Sequence, residues 1–208
     1  MPTDRIHSLL ILVSAPSGGG KTTVCEQLLA ANPSTVRAIT CTTRPPRPGE
    51  KDGVDYYFLD SASFRQRVEA GDFLEHAIVH GNKYGTLQSE VLDKLRTGRD
   101  VLLSVDVQGA NTIRARTETD AELKQALVTV FITPPSLSLL EERLKKRASD
   151  SSEVIARRLS AARQEIAQWA LYDYLIISTS IAEDLRRMQV ILEAEKMRQC
   201  RAQPPLFE

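Results

Sequence analysis

Residues 9–23 read LLILVSAPSGGGKTT, an apolar run that passes without a break into three glycines, a lysine and two threonines. A run of successive aliphatic residues is the pattern of a strand buried on both faces, as in a parallel sheet. The residues after it match G-x-x-x-x-G-K-[ST] over Ala15–Thr22, with Ala15 in place of the first glycine. The pattern sits between a strand and a helix, where its chemistry requires it. A flexible Gly/Ser turn with a chance lysine does not explain strand, spacing and helix together.

In such a loop, glycines let successive backbone N–H groups turn inward around phosphate oxygens, and the following helix presents its positive end. The spacing therefore assigns Ala15, Pro16, Ser17, Gly18, Gly19, Gly20, Lys21, Thr22 and Thr23 to a nucleoside triphosphate cradle. Lys21 reaches the β and γ phosphates, and the Thr22 hydroxyl ligates Mg²⁺. Thr23 reads equally well as a plain first-turn helix residue.

Bulk properties bound the rest. With 208 residues, 42% hydrophobic and 26% charged, the chain can bury one sizeable core with small appended lobes. Lys+Arg and Asp+Glu both number 27, so no global basic field gathers nucleic acid or a membrane surface, and any anion site must be local. Cys25, Cys41 and Cys200 show no CxxC pairing and are expected to be free thiols in a reducing compartment. HSLLILVSA resembles a secretion signal only superficially, because Asp4 precedes it and the run is short. A cytoplasmic protein is expected. The pattern sets no oligomeric state.

Further buried runs lie at Val101–Val105, Leu127–Ile132 and, shorter, Leu175–Ile177. Helical periods cover Lys21 to about Ala31, stopped by Asn32-Pro33, and then Ser89–Arg96, Leu137–Lys146, Glu153 to about Leu171 and Ile181–Arg198. Strands alternating with helices predict an α/β doubly wound parallel sheet. Whether the charged stretch Arg114–Leu123 is more than a surface loop is left open by its pattern, and the terminal RAQPPLFE is read as a loose tail.

A second local anion site is offered by Thr40–Phe58, TCTTRPPRPGEKDGVDYYF. Arg44 and Arg47 stand among hydroxyl residues, stiffening prolines and Tyr56, and guanidinium forks suit phosphate. Taken alone, two arginines in a loop are more often simply solvated.

Together the loop, TTRPPRPGEKDGVDYYF, FLEHAIVHGNKYGT, VDVQGA and FITPPS resemble the guanylate kinase family, in order and over nearly the whole chain. The resemblance implies a P-loop NTPase core (1–38, 90–135, 168–208), a small GMP-binding lobe (39–89) and a helical lid (136–167). It implies phosphoryl transfer from ATP to GMP, and to dGMP as a secondary acceptor, with Mg²⁺. By the same resemblance Arg44, Arg47, Tyr56 and Tyr84 hold the GMP phosphate, while Glu75, Thr86, Asp106 and Thr40 line the guanine pocket. Guanine donates from N1 and its 2-amino group, so carboxylates can accept from it, whereas adenine would leave them unpaired. Arg143, Arg147 and Arg158 match lid residues that close over the ATP phosphates and, with Lys21 and Arg44, form the implied catalytic set.

A phosphate monoester has a second pKa near ~6, so the attacking oxygen is already ionised and no general base is needed. His7, His76 and His80 are accordingly given surface or packing roles. Three positions depart from the family pattern: Ser104 where an acid near magnesium is usual, Ser178 where Asn near the donor base is usual, and Cys41 in place of a hydroxyl residue. Two other classes remain open on the residues alone. A non-catalytic interaction module would not be expected to keep both the Gly20-Lys21-Thr22 cradle and the lid arginines. A sugar-phosphate kinase would have no use for Glu75 and Asp106 together with Tyr56 and Tyr84.

Overall fold

Strand β1 (Leu10–Ser14) is buried along its whole length. The computed structural model describes residues 8–79, 81–146 and 152–202. In chain order β1 is followed by α1 (Lys21–Ala31), β2 (Thr35–Arg37), β3 (Cys41–Thr42), β4 (Tyr57–Phe58), α2 (Ser61–Ala70), β5 (Phe73–Val79), β6 (Asn82–Leu87) and α3 (Gln88–Arg96). Then come β7 (Asp100–Ser104), α4 (Val107–Thr117), α5 (Ala121–Ala126), β8 (Leu127–Thr133), α6 (Leu137–Lys146), α7 (Ser152–Ile166), a 3-10 turn (Trp169–Leu171), β9 (Tyr174–Ile177) and α8 (Ile181–Met197).

The main sheet has the order β2-β7-β1-β8-β9, and every pairing in it is parallel. Alternate residues of a strand face opposite sides, which explains the unbroken apolar run around β1. Leu10 and Leu12 join Val101, Leu103 and Phe131 under α3, α4 and α5, while Leu9, Ile11 and Val13 join Val128, Val130 and Ile132 under α1 and α8. Helices on both faces make this the expected doubly wound arrangement.

A second, four-stranded sheet of order β4-β3-β6-β5 lies between residues 41 and 87. Its own core is small: Cys41, Phe64 and Phe73 are buried in it, and the two phenyl rings stack at 4.5 Å. Cys41 is thus a packing residue. Leu74 of β5 belongs instead to the main core. At the crossing between the sheets, Glu90 of α3 accepts from the Ile39 N–H at 2.8 Å and from the Tyr57 hydroxyl at 3.1 Å. Helices α6 and α7 pair through Leu140, Leu144 and Ala162.

Several expectations need correction. The helix expected to run to about Leu171 ends at Ile166, and Trp169–Leu171 form a separate 3-10 turn. The stretch Arg114–Leu123, left open by its pattern, is more than a loop: it holds the end of α4 and the start of α5, whose N-terminus Asp120 caps by accepting from the Glu122 and Leu123 N–H groups. The tail is not loose at its start, because Arg201 is buried and paired with Glu195; residues 203–208 lie outside the described residues. So do His7 and His80, whereas His76 is exposed. Among the described residues, no helix is long and apolar enough to cross a membrane.

Arg201 ties the C-terminal end of α8 to the sheet. It donates to the Gln125 and Leu127 carbonyls at 3.0 and 3.2 Å, and its partner Glu195 also accepts from the Tyr174 hydroxyl at 2.5 Å. Removing one partner of a buried pair strands the other charge. Arg201→Ala is expected to lower unfolding free energy by about 3–5 kcal/mol in denaturant titration. Arg198→Ala, which removes an exposed partner of the same carboxylate, is expected to cost less than about 1 kcal/mol. Equal losses would refute the assignment.

Candidate active site

The sheet register delivers the loop. Val13 lies beside Ser104 in the β1–β7 pairing, so the chain leaving β1 runs next to Val105 and Asp106. Helix α1 is preceded by Gly20 at its N-cap, whose φ of 95° is a left-handed value open to glycine. A Cβ at Gly19 would stand 2.9 Å from the Pro16 carbonyl oxygen, so that position too excludes a side chain. Ala15 packs its methyl group into the core beside Val13 and Val24, which is how the loop tolerates losing its first glycine.

The N-terminus of α1 has neither a side-chain cap nor an acidic residue in its first turn. By contrast α2, α4, α5 and α8 are capped by Asp60, Asp106, Asp120 and Ser180. The first N–H groups of α1 are thus left for an external anion, reinforced by the helix dipole. The cleft in front of them is lined by Ala15, Pro16, Ser17, Gly18, Gly19, Gly20, Lys21 and Thr22, with Asp106 and Glu165 opposite. Lys21 donates to the Val105 carbonyl at 2.6 Å. Burial holds its ammonium below the ordinary lysine pKa, while Cys25, Asp106 and Glu165 act in the other direction. Thr23 lines a neighbouring cleft instead, with Gly18, Val24, Arg143, residues 178–181 and Asp184.

On the small sheet, register puts Tyr84 and Thr86 of β6 on one face, with Glu75 opposite Thr86. Arg44 lies over the Tyr56 ring, 5.3 Å from its centroid, and Tyr56 meets Tyr84 edge-on at 6.2 Å. The guanidinium is gripped from behind: Glu50 accepts from both of its terminal nitrogens, at 2.9 and 2.8 Å, and from the Arg47 N–H at 2.7 Å. The Arg47 side chain is exposed. Thr40 is half-buried, and its carbonyl accepts from the Tyr57 N–H at 3.0 Å.

Glu75 is 8% exposed and accepts from the Thr86 hydroxyl at 2.9 Å. Burial pushes its pKa up, and the Asp106 carboxylate adds to that, against the Thr86 hydrogen bond. Asp106 caps α4 by accepting from the Gly109 N–H at 2.8 Å. Both carboxylates converge on Gly109, where a Cβ would lie 3.4 Å from Asp106 Oδ1 and 3.6 Å from Glu75 Oε2. Asp106 therefore belongs to both sites, facing Glu75 on one side and the lysine of the loop on the other.

Of the three expected lid arginines, Arg143 stands beside the loop, with Nη1 3.8 Å from a Cβ built on Gly20. Arg158 is half-buried on α7 and is not among the residues that line the loop cleft. Arg147 lies outside the described residues. Ser104 is exposed at the end of β7. Ser178 is buried and donates to Asp184 at 2.6 Å, while Asp184 also accepts from the Thr179 N–H at 3.2 Å.

Sequence reasoning missed Glu50, Glu90 and Glu165. Glu50 carried a signal, three residues after Arg47 in the Pro-Gly turn; Glu90 and Glu165 look like ordinary helix-surface acids until the fold turns them inward.

The residues fit a bound magnesium ion. Hard oxygen donors suit Mg²⁺, which keeps several waters and takes the rest of its shell from phosphates, and Thr22 and Asp106, a hydroxyl and a carboxylate residue, line one cleft here.

Residues 7–195 match the family model described as guanylate kinase. The chain is 43% identical over 197 residues to a guanylate kinase of Maricaulis maris, covering 95% of this chain and 88% of that one. It is 41% identical over 198 residues to one from Paramagnetospirillum magneticum, covering 95% and 90%. The crystal structure of guanylate kinase from Anaplasma phagocytophilum has 34% sequence identity and a TM-score of 0.70, covering 93% of this chain and 89% of that chain. A glycine loop with an uncapped helix behind it, two carboxylates meeting at Gly109 and a match of this extent lead to one conclusion: the chain belongs to the guanylate kinase family.

Proposed function

We propose that the protein transfers the γ-phosphoryl group of ATP to GMP, giving ADP and GDP, with Mg²⁺ bound to the donor and dGMP as a secondary acceptor. The observation that carries this reading is Asp106, whose carboxylate meets that of Glu75 at Gly109 and which also lines the cleft of Lys21. One carboxylate at both places sets an acceptor base against a donor phosphate. The family membership supports both substrates.

Residues 39–89 form the acceptor lobe, 136–167 the lid, and 1–38, 90–135 and 168–208 the core. Arg44, Arg47, Tyr56 and Tyr84 take the acceptor phosphate, and the Glu50 grip on Arg44 keeps that guanidinium ordered before the ligand arrives. Glu75, Asp106, Thr86 and Thr40 take the guanine. These groups address base and phosphate, so loss of the ribose 2′-hydroxyl is tolerated. The loop takes the triphosphate, and the cleft of Thr23, Val24 and residues 178–181 takes the donor base.

Thr22, with Asp106 nearby, holds the magnesium side of the donor; the ion neutralises phosphate charge when bound. Lys21, Arg143, Arg147 and Arg158 supply the remaining positive charge as lid and lobe close, excluding water as a competing acceptor. No side chain need remove a proton, since the acceptor oxygen is ionised at neutral pH. The three free thiols support a cytoplasmic location.

A coupled ADP-release assay with Mg·ATP tests the reading directly. Turnover is expected with GMP and dGMP, and none above background with AMP, CMP, UMP or ribose phosphate; silence with every acceptor would sink it.

Glu75→Gln separates selection from stability. Losing an acceptor for the guanine donors is expected to reduce kcat/KM for GMP by about 10- to 100-fold. The same change is expected to raise the thermal midpoint at neutral pH. The folded pKa of Glu75 is raised, so its ionised form destabilises the fold above that pKa, and the difference from Gln shrinks as pH falls through it toward the ordinary glutamate value. An unchanged midpoint at pH 7 would contradict the burial argument.

Ser104→Asp adds a carboxylate next to Val13 at the head of the loop. Half-maximal activity is expected at a lower Mg²⁺ concentration, by about threefold or more; a higher requirement would place the ion away from β7.

A further inference from the structure

The last turn of α7 sets a carboxylate against the phosphate loop. Glu165 Oε2 accepts from the backbone N–H of Ser17 at 3.3 Å, and the side chain lines the same cleft as residues 15–22 and Asp106. Inward-turned N–H groups of such a loop are donors for phosphate oxygens. One of them is therefore met by an anionic group of the chain itself.

The contact is held by packing. Leu140 and Leu144 of α6 and Ala162 of α7 form one apolar cluster, and Leu144 stands over the loop, its Cδ2 3.0 Å from a Cβ built on Gly18. The α6/α7 pair thus rests on the loop and carries Glu165 into place. The Lys21 ammonium favours the charged form of Glu165, whereas burial and Asp106 oppose it. With Asp106 in the same cleft, two carboxylates face a site built for anions.

We propose that Glu165 occupies a phosphoryl position in the empty loop and is displaced by the nucleotide, which keeps inorganic phosphate and pyrophosphate out of the cradle. This rests on the reading of the loop as a donor-phosphate site. Any anion entering there must expel the carboxylate or share the cleft with it, and both oppose binding. A free phosphate has only the loop donors to set against that penalty. A nucleotide also fills the neighbouring cleft lined by Thr23, Val24 and residues 178–181, so it can carry the same penalty and still bind. Displacement also releases α7 from Ser17, which links donor arrival to movement of the lid.

Glu165→Gln tests this, because it keeps the size and an acceptor oxygen but removes the charge. The full chain, as wild type, Glu165→Gln and Glu165→Ala, is titrated calorimetrically with inorganic phosphate, pyrophosphate and ATP at constant ionic strength, without divalent metal. The Gln variant is expected to bind pyrophosphate about tenfold tighter than wild type, the scale of losing one close like charge, with Ala moving the same way. A similar fold-gain is expected for ATP, which displaces the same carboxylate. If Glu165 only tethers α7, pyrophosphate affinity stays level in Gln and in Ala, and the proposal is overturned. Should ATP bind none of the three proteins, the cradle reading fails and this proposal fails with it. If pyrophosphate tightens while GMP is never phosphorylated, the proposal stands and the acceptor assignment is what fails.

Discussion

Everything at the site depends on β1 being hydrogen-bonded on both edges and covered on both faces. A strand so confined cannot slip, since a shift of one residue would exchange its two apolar faces and misalign both neighbours. All strands of the main sheet run parallel, so their carboxyl ends lie along one edge, the usual place for ligands in an open α/β sheet. From that edge β1 feeds the phosphate loop and β7 feeds Val105 and Asp106. There β8 leads toward α6 and β9 toward Ser178. Residues far apart in the chain meet because four strands end together.

The site treats its charges in two ways. Cations are anchored before any ligand arrives: Arg44 by Glu50 and Lys21 by the Val105 carbonyl. Anchoring lowers the ordering cost of binding. The carboxylates of Glu75 and Asp106 make no ion pair among the described residues and are held by a hydroxyl and a backbone N–H. On the proposed reading, such groups carry an energetic penalty that guanine would remove and another base would leave in place.

Legibility in the sequence followed the range of the interactions. The main-sheet strands around β1, β7, β8 and β9 could be read to within a residue or two at each end, because burial on both faces leaves an apolar run. The loop and α1 were legible because backbone geometry there demands glycine at fixed spacing. The small sheet was not: β3 and β4 are two residues each, too short for a period, and only the resemblance pointed to that lobe. Helices α4 and α5 were hidden by polar residues at most positions. In the same way the contacts that turn Glu90 toward Ile39 and Glu165 toward Ser17 span 51 and 148 residues of sequence, which no local pattern can encode.

The small sheet buries few residues of its own, with Leu74 lodged in the main core and Glu90 clasping the crossing. Its stability is therefore borrowed: with three buried residues in its own cluster, the segment relies on the main core to hold its shape. Such a lobe can diverge at its exposed rim, at Val54 or Ile78 for instance, yet its attachment points must change in step with the scaffold. Variation across relatives should concentrate at the rim and be slowest where the two sheets share side chains.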